Sequence, residues 1–213
     1  MKYDLSNIRR EYAQRSLSKN EVNKNPIGQL ERWLDEAVHA EAYEPTAMIL
    51  STASQNRKVT SRTVLLKDLK NEGLAFYSNY NSLKGKQLKE NPWAAALFYW
   101  AELERQVRVE GVTEKLSPEE SDKYFESRPE MSKIGAWASD QSTEIPDRHY
   151  LEQRQKELEK QFRNKKVERP PYWGGYLIRP TRFKFWQGRE NRLHDRIEYS
   201  LEDKKWVLRR LAP

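Results

Sequence analysis

The sequence predicts one α+β domain, mainly β, in which an antiparallel barrel is flanked by a few helices. β-like segments follow one another at short intervals, separated by turn signals such as Asn56-Arg57 and Asn71-Glu72-Gly73. Because these links have hairpin length, they favour antiparallel pairing over a doubly wound parallel sheet. With 213 residues, the chain is long enough to bury a substantial core.

The best-defined helix is predicted over residues 26–42. Its apolar residues recur at three-and-four spacing, Asn25 precedes it as N-cap, and Pro26 takes the first helical position. Further helices are predicted over 81–92, 117–129 and 146–166. Strands are predicted over 46–53, 58–69, 73–79, 93–101, 103–116, 172–180, 182–188, 192–200 and 204–213.

No repeat or linker divides the chain, so we expect a single domain over residues 1–213, with 1–20 as a mobile N-terminal segment. The absence of cysteine excludes disulfides, thiolate metal sites and a cysteine nucleophile. No apolar run approaches the roughly 20 residues of a membrane span, and the N-terminus lacks the apolar region of a secretory signal. A soluble cytoplasmic protein is therefore expected.

The net charge of +7 raises nucleic-acid binding as a possible function. However, 32 acidic residues offset the 39 basic ones, and the two signs are interspersed, which argues against a continuous basic stripe. The three histidines, His39, His149 and His194, show no metal-ligand spacing, and no Gly-x-Ser-x-Gly motif indicates a hydrolase. A smaller anion would need only a local cluster of cations.

One such cluster lies near the C-terminus. If residues 192–200 are extended, Arg192, His194 and Arg196 share one face of the strand. They would repel one another unless something anionic lay among them. The alternative is a solvated edge strand whose charges discourage aggregation.

Other cations occur beside strands and helix ends. Arg62 and Lys67 flank an apolar strand run, although both could reach water by snorkelling. Lys84 lies in the first turn of a helix that starts near Ser82, where a cation is unfavourable unless an anion is bound. Arg128 ends another helix, where it also complements the dipole. Together these sites indicate a phosphorylated organic cofactor or substrate.

With these residues laid out, the chain resembles the pyridoxine (pyridoxamine) 5′-phosphate oxidase family. The resemblance extends from about residue 8 to residue 213 and follows the family's order. The motifs that carry it are RREY, PTAM, RTVLLK, FYSN, ERQVRVEG, YFESRP, IGAWAS followed by QS, WGGY, FWQG and RLHDR.

The resemblance implies an FMN-binding split β-barrel with flanking helices that acts as a homodimer. The flavin would lie in clefts at the subunit interface, and residues 170–213 would form the dimerisation and active-site region. The implied reaction oxidises pyridoxine or pyridoxamine 5′-phosphate to pyridoxal 5′-phosphate, with O2 as acceptor and H2O2 as product. We expect direct hydride transfer from the substrate's C4′ carbon, and no metal, nucleic-acid or membrane partner.

By motif position, the resemblance also implies a set of site residues. FMN would be bound by Arg62, Thr63, Val64, Leu65, Leu66, Lys67, Tyr77, Ser78, Lys84, Gln106, Gln141, Ser142, Trp186 and Arg196. The substrate phosphate would be held by Lys67, Tyr124, Arg128 and Ser132. The catalytic residues would be Arg192 and His194, which with Leu193 would close over the substrate pyridine. Arg9, Arg10, Glu11 and Tyr12 would fold over the active site as a mobile lid.

Two positions depart from the family's pattern. Leu83 replaces an Arg that is frequent just before Lys84, which removes one phosphate contact unless Lys86 compensates. Glu44 replaces an Asp before the Pro of PTAM and adds a methylene there. A non-catalytic flavin- or phosphate-binding barrel is the main alternative function, and a flavin reductase acting on another substrate is the second. The RLHDR motif argues against a non-catalytic barrel. The phosphate-binding set of Lys67, Tyr124, Arg128 and Ser132 argues against a flavin reductase acting on another substrate.

Replacing Arg192 with Leu should depress turnover strongly and leave FMN bound. The resemblance assigns Arg192 to orienting the substrate ring and assisting proton removal, and places His194 beside it in an orienting role. Steady-state turnover and the flavin absorbance of the purified variant check both parts. Unchanged turnover would rule out this role.

Overall fold

The computed structural model describes residues 12–213, which form two compact units. The terminal unit comprises residues 12–49, Ala96–Glu110 and Pro180–Pro213, and the central unit comprises Leu50–Ala95 and Gly111–Arg179. No helix in this described part of the chain has the length and apolar character needed to cross a membrane.

Helices and strands alternate irregularly along the chain. The helices are α1 (Pro26–His39), α2 (Leu83–Glu90), α3 (Pro118–Ser127), α4 (Glu130–Ala138) and α5 (Arg148–Phe162). The strands are β1 (Ala47–Ala53), β2 (Val59–Leu65), β3 (Asp68–Lys70), β4 (Gly73–Asn79), β5 (Trp93–Trp100), β6 (Arg105–Lys115), β7 (Trp173–Gln187), β8 (Asp195–Glu202) and β9 (Lys205–Leu211). Over residues 12–213 they join one nine-stranded sheet in the order β2-β1-β5-β6-β7-β4-β3, with β8 between β7 and β9.

Three predicted helix starts are confirmed by their caps. The Asn25 side chain accepts a hydrogen bond from the Ile27 N–H at 2.9 Å, and Ser82 accepts one from Gly85 at the start of α2. Ser117 forms a capping box with Glu120 at the start of α3. Because these side chains satisfy N–H groups that the helix leaves free, the starts could be read from the sequence.

The predicted strands are mostly confirmed, with changed boundaries. The segment 58–69 divides into β2 and β3, whereas 172–180 and 182–188 form the single strand β7. The helix α4 was not predicted, because its nine residues are too few for a clear period.

The predicted strand over 192–200 is wrong at its start, since β8 begins only at Asp195. Asn191 and Arg192 have φ values of 53° and 64°, in the left-handed region, and belong to a short 3₁₀ turn. The prediction that Arg192, His194 and Arg196 share one strand face is therefore also wrong. Two successive left-handed residues end the extended chain before alternation can begin.

Each unit has its own core. In the terminal unit, Trp33 packs edge-on against Phe185 with centroids 5.2 Å apart, and Phe185 contacts Tyr199. In the central unit, antiparallel β4 and β7 pair Phe76 with Tyr176, whose rings stack at 5.3 Å. Trp33, Phe76, Phe185 and Tyr199 are almost wholly buried, so these strand faces supply much of the apolar burial.

Replacing Gly85 with Ala should destabilise the fold. A Cβ at this position would lie 2.1 Å from the backbone oxygen of Tyr80, and a backbone group cannot rotate away. We expect a loss of about 2 kcal/mol or more in the free energy of unfolding, measured with urea.

Gly135 in α4 provides the matched control, because nothing lies within 4 Å of the Cβ that Ala would add there. Helix propensity alone should then make Gly135→Ala neutral or more stable by about 0.5–1 kcal/mol. Equal stabilities for the two variants would contradict the close approach of α2 to Tyr80.

Candidate active site

A cavity of about 830 Å³ lies within the central unit. It has the size of a small-ligand site, and its walls come from β2, β4, α2, α3 and α4. The predicted site residues that line it are Arg62, Thr63, Val64, Leu65, Lys67, Tyr77, Ser78, Lys84, Tyr124, Arg128, Ser132, Gln141 and Ser142. Leu66 is buried and is not among the lining residues that the structure describes.

The cavity lining is cationic. Arg62, Lys67, Lys84 and Arg128 contribute positive charges, and no Asp or Glu is present among the described residues that line it. Four cations around one cavity repel one another, and burial of Arg62, Lys84 and Arg128, in part or in full, raises the cost of their charges. A dianionic ligand would relieve both penalties.

Arg62 is held on β2 by neutral oxygens. Its Nη1 donates to the backbone oxygen of Leu50 at 3.0 Å and to the hydroxyl of Thr52 at 2.7 Å, and its Nη2 donates to the hydroxyl of Thr60. Burial lowers the pKa of Arg62, although a guanidinium remains charged at neutral pH. The side chain is thus fixed in position while its charge stays uncompensated.

Lys84 is a buried amine that has no carboxylate partner within residues 12–213. Its Nζ donates to Gln141 at 2.8 Å, to Ser78 at 2.9 Å and to Ser82 at 3.3 Å. Burial, followed by the charge of Arg62, lowers the pKa of Lys84 to about 8. Lys84 therefore still carries most of its charge at pH 7, at a cost that a nearby anion would remove.

Arg128 follows α3 and lies over an aromatic ring. Its guanidinium carbon is 4.7 Å from the ring centroid of Trp173, within cation–π range. Its Nη1 is buried and has no hydrogen-bond partner among the residues that the structure describes. Because a buried cationic N–H without an acceptor is costly, this atom indicates an anionic ligand.

Aromatic rings form one wall of the cavity. Tyr77 and Tyr124 stack with centroids 3.8 Å apart, and Trp173 continues the stack 5.6 Å from Tyr77. Burial raises the pKa of Tyr77 to about 12, so its hydroxyl remains a hydrogen-bond donor at neutral pH. The rings also fix the position of Tyr124 beside Arg128.

Several lining residues were not predicted as site residues. Trp173 stands in the WGGY motif, which could have identified it, but its role depends on the cation–π contact with a residue 45 positions away. Gly135, Ala136 and Ser139 belong to α4 or its C-terminal cap, and Asn79 donates to the Ser139 backbone oxygen at 3.4 Å. These residues stand in the IGAWAS and FYSN motifs, which could have identified them.

A second group of predicted residues lies in the terminal unit. Tyr12, Trp186 and His194 form an aromatic cluster, with centroids 4.8 Å apart for Trp186 and His194 and 5.6 Å apart for Tyr12 and Trp186. Arg196 donates to the backbone oxygen of Ala212 at 3.0 Å, and Gln106 is half-buried on β6. The predicted lid residues Arg9, Arg10 and Glu11 fall outside the described residues.

The contacts of His194 determine which ring nitrogen carries the proton and lower the pKa of the ring. Its Nδ1 accepts a hydrogen bond from the backbone N–H of Arg189 at 3.1 Å, which leaves Nε2 to carry the proton of the neutral ring. Burial and the charge of Arg192 lower the pKa of His194. His194 is therefore mainly neutral at pH 7 and can donate from Nε2. Arg192 and Leu193 are exposed in the preceding turn.

The two departures from the family's pattern are also visible. Leu83 is 47% exposed and lines the cavity, whereas Lys86 is exposed and is not among the described lining residues. Glu44 has a φ of 50° in the turn before β1. Compensation of Leu83 by Lys86 stays a prediction.

The chemistry of the cavity lining narrows the class of ligand. Cations, hydroxyl donors and a stacked aromatic wall on an antiparallel sheet are features that suit an aromatic phosphate ester. The arrangement supplies charge-assisted hydrogen bonds at one or more phosphates and flat surfaces for a ring.

Comparison with known proteins identifies the family. A family model described as pyridoxamine 5′-phosphate oxidase matches residues 34–162, and one described as the pyridoxine 5′-phosphate oxidase C-terminal dimerisation region matches residues 173–213. The chain belongs to the pyridoxamine 5′-phosphate oxidase family and is an oxidoreductase of that family. The resemblance found in the sequence is thereby confirmed.

Individual relatives agree with this assignment. A pyridoxine/pyridoxamine 5′-phosphate oxidase from Cyanothece sp. is 50% identical over 213 residues, covering 100% of both chains. The crystal structure of PhzG from Burkholderia lata has a TM-score of 0.89 at 31% identity and covers 94% of this chain and 99% of that one. An FMN-binding protein from Nostoc punctiforme, related to pyridoxamine 5′-phosphate oxidase, has a TM-score of 0.67 at 17% identity over 93% and 99% of the two chains. The likeness confirms the mainly β, split-barrel fold.

Replacing Lys84 with Met should change how the stability of the ligand-free protein depends on pH. Because folding lowers the pKa of Lys84 from 10.5 to about 8, the unfolded state binds more protons between these values, and stability rises with pH there. Below about pH 8 the burial penalty is present in full. Between about pH 8 and pH 10, the wild type should gain about 2 kcal/mol relative to Lys84→Met.

Urea unfolding at a series of pH values measures this difference. Lys86→Met removes an exposed lysine from the same helix and should follow the wild-type profile. A stability difference between wild type and Lys84→Met that stays constant with pH would contradict a buried, destabilised amine at this position.

Proposed function

We propose that the protein is an FMN-dependent oxidase that converts pyridoxine 5′-phosphate or pyridoxamine 5′-phosphate to pyridoxal 5′-phosphate, with O2 as acceptor and H2O2 as product. The observation that carries the proposal is the cavity lined by four cations and no described carboxylate. Family membership supplies the cofactor and substrate classes, and the charges of this chain fit both.

The FMN phosphate fits the end of the cavity formed by Arg62 and Lys84. Both cations are held by neutral oxygens, so neither is already neutralised by a carboxylate. Ser78 and Gln141 fix the direction of the Lys84 amine. These residues would bind the phosphate by charge-assisted hydrogen bonds.

The substrate phosphate fits the residues around Arg128. The partnerless Nη1 supplies a donor, and the stacked Tyr124 supplies a phenol beside it. Lys67 and Ser132 line the same cavity and add a charge and a hydroxyl. This group is suited to a small phosphate ester rather than to an uncharged substrate.

The chemistry that bound FMN would supply is acceptance of two electrons and a hydrogen from the substrate's C4′ carbon, followed by their transfer to O2. The chain's own residues bind and orient. Arg192 would hold the substrate ring, and His194, mainly neutral with its proton on Nε2, would donate a hydrogen bond rather than serve as an obligatory base.

The remaining assignments belong to the same proposal. Gln106, Trp186 and Arg196 would complete the FMN site, and Leu193 with Arg9, Arg10, Glu11 and Tyr12 would cover the substrate. The chain would act as a homodimer with FMN at the subunit interface, as the match to a dimerisation region supports. We also propose that residues 1–213 act as a single domain and that the protein is cytoplasmic.

Replacing Arg128 with Met should raise KM for pyridoxamine 5′-phosphate by roughly tenfold to a hundredfold, because charge-assisted hydrogen bonds are lost. FMN should stay bound, since Arg62 and Lys84 are unchanged. The measurement is steady-state formation of pyridoxal 5′-phosphate and H2O2 in air, with unphosphorylated pyridoxamine as a second substrate.

Lys123→Met removes an exposed cation from α3, the helix that Arg128 follows, and is the control for net charge. An unchanged KM in Arg128→Met would remove Arg128 from the substrate site. FMN-loaded wild type that forms no pyridoxal 5′-phosphate would overturn the proposed oxidase function.

A further inference from the structure

The residue Gln87 lies on the buried face of α2 and is 3% exposed. Its Oε1 is 2.6 Å from the Thr52 hydroxyl and 2.8 Å from the Thr60 hydroxyl. Both hydroxyls also contact the guanidinium of Arg62. We propose that Gln87 is a positioning residue for phosphate binding, which acts by fixing Arg62 through the two threonines. The inference rests on the proposed role of Arg62 at the FMN phosphate.

The direction of each hydrogen bond follows from the chemistry of the groups. Arg62 can only donate, so the Thr52 and Thr60 oxygens accept from it. Each hydroxyl has one hydrogen left to donate, and Gln87 Oε1 is within reach of both. The amide orientation is therefore determined, and Nε2 points to the Lys58 backbone oxygen at 3.4 Å.

This arrangement fixes Arg62 without neutralising it. Two hydroxyls and the Leu50 backbone oxygen occupy both Nη1 hydrogens and one Nη2 hydrogen. Within the described part of the chain, Nε–H and the second Nη2 hydrogen donate to no protein acceptor. These two donors form a fork of the kind that binds phosphate in a bidentate manner.

The position of Gln87 on α2 links the two residues proposed to bind the FMN phosphate, Lys84 and Arg62. Lys84 lies three residues earlier, hence on the same face of the helix, and its amine is close enough to Arg62 for the two charges to repel each other. One helix thus carries the direct ligand Lys84 and the residue that positions Arg62. A shift of Gln87 would move the Arg62 fork relative to the Lys84 amine.

The test compares two substitutions that differ in whether an acceptor oxygen remains, one of which also adds a negative charge. Gln87→Met and Gln87→Glu both lose the amide N–H that contacts Lys58, but only Gln87→Glu keeps an oxygen that accepts from Thr52 and Thr60. The full-length chain, freed of flavin, is titrated with FMN and with riboflavin, which lacks the phosphate, and flavin fluorescence is recorded.

In Gln87→Met, FMN should bind about tenfold more weakly than in the wild type, while riboflavin affinity should stay unchanged. Gln87→Glu should bind FMN more tightly than Gln87→Met, although its added negative charge lowers the affinity below that of the wild type. Thr60→Val removes one of the two hydroxyls between Gln87 and Arg62 and keeps the β-branched shape. It should show the same loss of FMN affinity, with riboflavin affinity unchanged.

Each result that would contradict the proposal can be told apart from the others. Equal loss of FMN and riboflavin affinity in Gln87→Met and Thr60→Val would mean a merely structural role, and wild-type FMN affinity in both would mean no role at all. Gln87→Glu binding no better than Gln87→Met would overturn the acceptor role of Oε1. If the wild type itself bound FMN no more tightly than riboflavin, the proposed phosphate site would fail instead.

Discussion

The burial of positive charge without a carboxylate partner is the constraint on which the central unit depends. Lys84 is nearly buried among neutral oxygens, and Arg128 keeps an Nη1 donor without a described partner. In the ligand-free protein each cation raises the free energy of the folded state. A bound phosphate reverses the sign of this effect, so ligand affinity and fold stability are linked.

The scaffold tolerates this cost because rigid apolar packing surrounds the charges. Gly85 allows α2 to approach the backbone of Tyr80, which brings Lys84 into the cavity. The Tyr77, Tyr124 and Trp173 stack supports Arg128 from the other side. Neutral hydroxyls and amides, rather than acids, hold the cations in direction, so the donors remain available to a ligand.

The sequence predicted those parts of the site that local patterns encode. Helix caps such as Ser82 and Ser117 gave the starts of α2 and α3, so Lys84 was expected in the first turn of a helix, where the structure has it. The turn before β8 could not be predicted, because any strand-like run remains compatible with left-handed residues until the backbone is known. Gln87 was not singled out, since its partners lie 35 and 27 residues away.

One measurement tests the central claim most directly: the visible absorption spectrum of the purified protein before and after pyridoxine 5′-phosphate is added without oxygen. If the cationic cavity binds both phosphates, a yellow flavin spectrum should bleach with substrate and return on aeration. A flavin spectrum that the substrate never bleaches would contradict the account, as would a protein that stays colourless after FMN is supplied.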